Sequence, residues 1–97
     1  MKQQIVLTNT TLRIKSRIRD FEGELVDPQS IEFELKGPNE DSYTVYTIGD
    51  IVKESTGIYY IDVTFTTPGR FDYSWFTYGE PSTSWKSFVQ VENARYV

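Results

Sequence analysis

Residues 57–77 alternate large apolar and polar side chains with period two, and this is the strongest pattern in the chain. Pro68-Gly69 interrupts the alternation. Proline fixes φ and glycine tolerates positive φ, so residues 67–70 suit a tight reversal. The pattern predicts two antiparallel strands joined by a short turn. Their inward side chains would be the largest single contribution to a core: Tyr59, Ile61, Val63, Phe65, Phe71, Tyr73 and Trp75.

The same alternation predicts further strands elsewhere. Residues 11–19 show a half-buried strand, and residues 30–36 show another with Ile31, Phe33 and Leu35 directed inward. Residues 43–48 alternate less cleanly but also favour a strand. Residues 51–57 then predict a connection, with Ile51 or Val52 covering the core.

The two ends of the chain are less regular. Residues 1–9 contain a short apolar run that is either a first strand or an N-terminal arm. Residues 85–91 predict the last strand. Phe88, Val89 and Val91 cannot all face one side, so a bulge or a partly apolar outer face is expected there. Residues 92–97 are expected to be a C-terminal tail.

These segments amount to about seven strands at a spacing of roughly 8 to 12 residues, with no helical pattern and no internal repeat. Together they predict an all-β fold, an immunoglobulin-like or fibronectin-type β-sandwich of about seven antiparallel strands. A length of 97 residues suits one domain with a single core, spanning residues 1–97.

Composition narrows the possible chemistry. The chain contains no cysteine and no histidine, so thiolate metal sites and the usual pairs of nucleophile and base are not expected. No apolar run approaches the ~20 residues that span a bilayer, and no signal peptide is apparent, so a soluble protein made in the cytoplasm is expected. The net charge of −4 argues against nucleic acid as a partner.

The positive charge is concentrated near the N-terminus, where residues 1–19 carry five bases and no acid. Four of these bases fall on the outer face of the strand predicted over residues 11–19: Arg13, Lys15, Arg17 and Arg19. Basic rows protect a solvated edge strand against aggregation, and they also contact acidic partners. The sequence leaves both interpretations open.

Aromatic side chains are the second candidate for binding. Tyr60, Phe76 and Tyr78 have the opposite parity to the inward rings, so they should face outward. Four interpretations of such rings are open. They cover the edge of the core, pair across strands, anchor a protein interface, or stack on sugars. Trp85 is a further candidate for stacking on sugars.

Two carboxylates are the only candidates for catalysis. Asp62 and Asp72 lie on the outer faces of the two central strands and could be cross-strand neighbours, as an acid and base pair requires. Exposed acids on a sheet are usually surface charge, and no glycine-rich phosphate loop is present. We therefore predict no enzyme activity, no metal and no cofactor.

The order of motifs nevertheless resembles a known group. It contains Asp20-x-x-Gly23-x-Leu25-Val26-Asp27-Pro28, Ile31-x-Phe33-x-Leu35, Gly37-Pro38, Gly57-Ile58-Tyr59-Tyr60, Pro68-Gly69-x-Phe71-x-Tyr73-x-Trp75 and a closing strand with Phe88. Over residues 12–91 this order resembles small immunoglobulin-like structural proteins of tailed bacteriophages. The pattern also resembles macroglobulin-like and other immunoglobulin-like domains of bacterial surface proteins. A start at Met1 without a signal peptide favours the phage group.

The resemblance implies a non-enzymatic virion component that binds other capsid, neck or tail proteins, for example a capsid decoration protein, a head-to-tail connector accessory or a tail module. It also implies a virion location after synthesis in the host cytoplasm, and it allows homo-oligomers within the particle. It supplies no functional residues, because the shared motifs are turns and core aromatics. The alternative function is a carbohydrate-binding module that uses exposed aromatics.

Overall fold

The computed structural model describes residues 4–94. All regular secondary structure in that range is β, and no helix there could cross a membrane. Eight strands follow one another within the described residues: β1 Gln4–Leu7, β2 Thr10–Arg17, β3 Ser30–Lys36, β4 Thr44–Tyr46, β5 Val52–Ser55, β6 Ile58–Phe65, β7 Gly69–Tyr78 and β8 Thr83–Glu92.

The strands form two sheets. One has five strands in the order β1-β8-β7-β3-β4, and the other has three in the order β2-β6-β5. Neighbouring strands are antiparallel, except that β1 runs parallel to β8, where Gln4 pairs with Val89 and Leu7 with Glu92. The predicted all-β fold is confirmed, with one more strand than expected.

Both sheets contribute to a single core. Phe33 of β3 is completely buried, and its ring lies 4.8 Å from the Trp75 ring of β7 and 5.6 Å from that of Tyr73. The alternation on β2, β3, β6, β7 and β8 supplies most of this core because successive side chains point to opposite faces. The buried apolar residues are Ile14, Ile18, Ile31, Phe33, Leu35, Ile51, Tyr59, Ile61, Phe65, Tyr73, Trp75, Val89 and Val91.

The predicted hairpin over residues 57–77 is wrong, since β6 and β7 belong to different sheets. The chain crosses from one sheet to the other between them, and the Phe65 and Phe71 rings meet edge to face at 4.9 Å. Alternation reveals an apolar face but does not reveal whether two strands pair edge to edge or face each other across a core. Gly69 begins β7 instead of completing a tight turn. Its φ is 129°, and a Cβ there would lie 2.6 Å from Pro38 Cγ.

Two short strands lie where the pattern was weak. The prediction treated residues 51–57 as a connection, but they contain β5, whose side chains are all exposed and therefore show no alternation. Ile51, just before it, is buried, whereas Val52 is exposed. Within residues 1–9, which were expected to be a strand or an arm, residues 4–7 form β1, and residues 1–3 lie outside the described residues.

The last strand is longer than predicted. Its pairing with β7 runs without interruption from Val91 opposite Gly69 to Thr83 opposite Thr77, so the expected irregularity is not a bulge. The alternative expectation, a partly apolar outer face, is the one observed. Phe88 lies on the outer face of the five-stranded sheet, with the Arg70 guanidinium 3.9 Å from its ring centroid. Glu92, expected in the tail, ends β8, and residues 95–97 lie outside the described range.

The connection between β2 and β3 is held by Asp27. Its carboxylate accepts hydrogen bonds from Lys53 Nζ at 2.7 Å, the Gly57 amide at 2.9 Å and the Tyr59 hydroxyl at 3.0 Å. The bond from Lys53, followed by that from Gly57, lowers the pKa of Asp27 to about 2. Burial and the bond to Asp27 raise the pKa of Tyr59 to about 12. One carboxylate thus fastens this connection to β5 and β6.

Candidate functional site

The basic row lies on the outer face of the three-stranded sheet. Arg13, Lys15 and Arg17 are exposed, and they alternate with Ile14 and Ser16, which are buried. β2 is an edge strand that pairs only with β6 among the described strands. The predicted placement of these three bases on one face is therefore confirmed. The row runs along a sheet edge at the side of the molecule.

The row is partly neutralised by acids of the same sheet. Arg13 donates to both oxygens of Asp62, from Nε at 2.9 Å and from Nη2 at 3.1 Å, and its guanidinium lies 3.8 Å from the Tyr60 ring centroid. The hydrogen bond from Arg13 lowers the pKa of Asp62. Lys15 Nζ lies 3.0 Å from Glu54 Oε1. These side chains remain about half exposed, so each pair is weak and accessible to a partner.

Arg19, the fourth predicted base, does not belong to β2, which ends at Arg17. Its backbone forms an isolated bridge with Leu25, and its Nη1 donates to the Gly23 carbonyl at 2.8 Å. Arg19 therefore braces the connection that follows β2. Alternation alone could not show this, since the outward parity continues after the strand has ended.

The three predicted outward aromatics do not form one cluster. Tyr60 lies on the three-stranded sheet beneath Arg13, whereas Phe76 and Tyr78 lie on β7 in the five-stranded sheet. Phe76 is half-buried, and Tyr78 is exposed with its hydroxyl donating to Glu32 at 3.1 Å. Burial, together with that bond, raises the pKa of Tyr78. The outward directions are as predicted, but the fold separates Tyr60 from the other two.

Phe76 borders a shallow depression on the outer face of the five-stranded sheet. Its volume is about 470 Å³, and it is also bordered by Tyr43 and the buried Ser74. Trp85, the further candidate for sugar stacking, pairs with Trp75 and directs its ring to the inner face, where it meets the Tyr73 ring edge to face at 6.0 Å. An adjoining depression of about 370 Å³ extends past Tyr43 to Phe88. Sequence reasoning missed Tyr43 because it lies just before the short strand β4, where no periodic pattern reveals its direction.

Asp62 and Asp72 are not neighbours, so the candidate catalytic pair is wrong. β6 carries Asp62 on the outer face of one sheet, and β7 carries Asp72 on the outer face of the other. Each is paired instead with a base, Asp62 with Arg13 and Asp72 with Arg70 at 3.0 Å. Residues 4–94 contain no group of three or more acidic side chains placed to hold a metal ion.

A further exposed ring lies at the end of the molecule formed by the β2–β3 and β7–β8 connections. Phe21 is fully exposed, and with Arg19 and Pro81 it borders a depression of about 400 Å³. Its turn is well ordered by hydrogen bonds, since Asp20 Oδ1 accepts from the amides of Glu22 and Glu24 at 3.0 Å. Gly23, which belongs to the motif that begins at Asp20, has a φ of 86° in this turn, whereas no pattern in the sequence indicates that Phe21 is exposed.

Comparisons with protein-family models, with curated proteins and with solved structures found no match to this chain.

Proposed function

We propose that this chain is a non-enzymatic structural protein of a tailed-phage particle, which binds other capsid, neck or tail proteins through β2. The observation that carries the proposal is the row Arg13, Lys15 and Arg17 along an edge strand, where both the side chains and the strand edge are accessible. Virion membership rests on the order of sequence motifs described above.

The immunoglobulin-like type of the sandwich is part of this proposal. In immunoglobulin domains, strands B, E and D form one sheet, and strands G, F and C form the other, to which C′ is added in variable-type domains. The orders β2-β6-β5 and β8-β7-β3-β4 correspond to these two sets. Such domains present edges and faces to partners while their cores remain unchanged.

The basic row suits a partner with an acidic surface. Arg13 and Lys15 are about half exposed, and exposed ion pairs contribute little to stability, so an acidic partner can compete for them. Complementary charge speeds encounter and sets register more than it strengthens binding. We infer that the row orients the protein on its neighbour in the particle.

The test is incorporation into particles. The triple variant Arg13→Glu, Lys15→Glu, Arg17→Glu should be absent from assembled particles and should not co-elute with purified head, neck or tail proteins in size-exclusion chromatography. A matched control makes the same charge change on the outer face of the five-stranded sheet, with Lys36→Glu, Arg70→Glu and Lys86→Glu, and should be incorporated normally. Normal occupancy by the first variant, shown to be folded by circular dichroism, would contradict the proposal.

Carbohydrate binding is the second candidate, favoured by the depression that Tyr43 and Phe76 border. Aromatic faces stack on sugar rings, and Glu34 and Lys86 at the same depression supply hydrogen-bonding groups. Titration with bacterial surface polysaccharide should change the tryptophan fluorescence, and Phe76→Ala should abolish the change. Tyr60→Ala, on the opposite sheet, is the control and should leave it intact. A flat titration at millimolar sugar would exclude this candidate.

A further inference from the structure

β2 presents unpaired backbone groups along its outer edge. The Ile18 amide donates to the Gly57 carbonyl at 2.8 Å, and hydrogen-bonded and non-bonded positions alternate along an antiparallel pair. The backbone N–H and C=O groups of Arg13, Lys15 and Arg17 therefore point away from β6. No other strand among residues 4–94 pairs with them. This edge is a template for one more strand.

β1 covers only half of the edge of β8. That strand pairs with β8 over Val89–Glu92, which leaves the first half of β8 without a neighbour on that side among the described strands. In this open half a cavity of about 120 Å³ lies between the two sheets. It is lined by Ser16 and Ile18 on one side and by Thr83 and Trp85 on the other, together with Trp75.

Trp75, which borders this cavity, carries a buried polar group without a partner among the described residues. The side chain is 1% exposed, and its Nε1 is a buried donor with no acceptor among residues 4–94. Buried indole N–H groups normally find a partner, since an unpaired buried donor is unfavourable. Less than 1 Å² of Nε1 is accessible, so an acceptor that enters the cavity reaches it only when the surrounding side chains move.

The charge of the edge selects the kind of strand that can pair with it. A second copy of β2 would set the bases of one row beside those of the other, and like charges on neighbouring strands repel. Acidic side chains at alternate positions would instead meet Arg13, Lys15 and Arg17. Arg13 keeps its Nη1 group outside the pair with Asp62, so it can bind a second carboxylate.

We propose that β2 receives an extended strand from a partner protein, in which acidic residues alternate with apolar or hydrogen-bond-accepting residues. The acids contact Arg13, Lys15 and Arg17 on the outer face, and one acceptor side chain enters the cavity and binds Trp75 Nε1. This strand addition gives affinity through backbone bonds and specificity through alternate side chains. The inference rests on the proposed function, since it specifies how the protein partner binds.

The experiment uses the full chain and a synthetic peptide that alternates Glu with Val and carries Asn in place of its central Val. In the protein alone, the amides of Arg13, Lys15 and Arg17 should exchange quickly with solvent deuterium. Saturating peptide should slow their exchange at least about tenfold by nuclear magnetic resonance, in keeping with new backbone bonds. The Trp75 indole N–H resonance should shift at the same time.

N-methylated peptides are the matched controls, because they retain charge and composition. Only one set of amides in a paired strand faces its neighbour, so methylating either the Glu or the Val amides should abolish binding, and methylating the other set should not. A peptide with Lys in place of Glu should not bind.

Three results would overturn the inference: protection of the three amides in the free protein, no binding at millimolar peptide, or equal binding by both methylated peptides. An unmoved Trp75 indole resonance on binding would refute the acceptor in the cavity. These failures are distinct from that of the proposed function. If the triple Glu variant is excluded from particles but the peptide does not pair, strand addition alone is wrong. If that variant is incorporated normally, the proposed function is wrong.

Discussion

Arg13 and Asp62 lie opposite each other on β2 and β6, and the guanidinium donates hydrogen bonds to both carboxylate oxygens at 2.9 and 3.1 Å. Sequence reasoning assigned these residues separate roles, the base to a partner surface and the acid to a possible catalytic pair. Their contact pairs Asp62 with a base on the neighbouring strand and not with Asp72. It also makes Asp62 an internal competitor for whatever acidic group binds Arg13.

Asp62→Asn should therefore change stability little while improving partner binding. The pair is about half exposed, and such pairs contribute little because water and salt screen them. We expect a nearly unchanged urea midpoint and an advantage over the wild type when the two compete for incorporation into particles. Asp72→Asn, which frees Arg70 on the opposite outer face, is the control and should give no advantage. A large loss of stability in Asp62→Asn would show that the pair is structural.

Truncation of two phenylalanines, Phe33 and Phe21, should change the free energy of unfolding by very different amounts. Phe33 is completely buried among Tyr46, Tyr73 and Trp75, so Phe33→Ala leaves a cavity and should lower the free energy of unfolding by about 3–5 kcal/mol. Phe21 is fully exposed, and Phe21→Ala should change the free energy of unfolding by less than about 0.5 kcal/mol. Urea denaturation followed by tryptophan fluorescence measures both. Comparable losses of unfolding free energy in the two variants would mean that the Phe21 side chain packs against the rest of the protein in solution.

Gly57 should not tolerate a side chain. Its φ is 75°, and a Cβ would lie 2.9 Å from the Ile18 carbonyl oxygen and the Val26 amide nitrogen. Gly57→Ala should lower the free energy of unfolding by at least about 1–2 kcal/mol, the cost of the left-handed conformation, with the backbone clash in addition. The control is Gly49→Ala, where nothing lies within 4 Å, and it should be nearly neutral. Equal urea midpoints for the two variants would contradict this.

Acid should weaken the fold partly through Asp27. Its pKa falls from 3.8 to about 2 on folding, so its carboxylate stabilises the protein fully above about pH 4 and loses that contribution as pH falls towards 2. Asp27→Asn should flatten the dependence of the urea midpoint on pH in this window. Lys53→Met removes the largest cause of the lowered Asp27 pKa, and it should flatten the pH dependence of the urea midpoint less than Asp27→Asn does. An Asp27→Asn profile as steep as the wild type would assign the acid sensitivity to other carboxylates.

Much of the candidate surface could be predicted because the direction of a side chain follows from strand parity. Arg13, Lys15 and Arg17 face outward as their alternation with Leu12, Ile14 and Ser16 requires, and Tyr60, Phe76 and Tyr78 oppose the core rings. Parity carries no information about which strands are neighbours. Consequently the pairing of Arg13 with Asp62, the separation of Tyr60 from Phe76 and the role of Tyr43 were not predictable from it.

The sequence by itself determined that this chain is all-β, which strands it builds at residues 30–36 and 58–65, and which faces of them are buried. Those properties are local, since they depend on the two-residue period and on turn residues close by. Only the tertiary structure decided that β6 and β7 lie in different sheets and that β1 runs parallel to β8. It alone left the edge of β2 without a neighbouring strand, and the buried Trp75 Nε1 without an acceptor, within residues 4–94. These features depend on contacts between residues far apart in sequence, where many pairings satisfy the same alternation and packing of the complete core selects one.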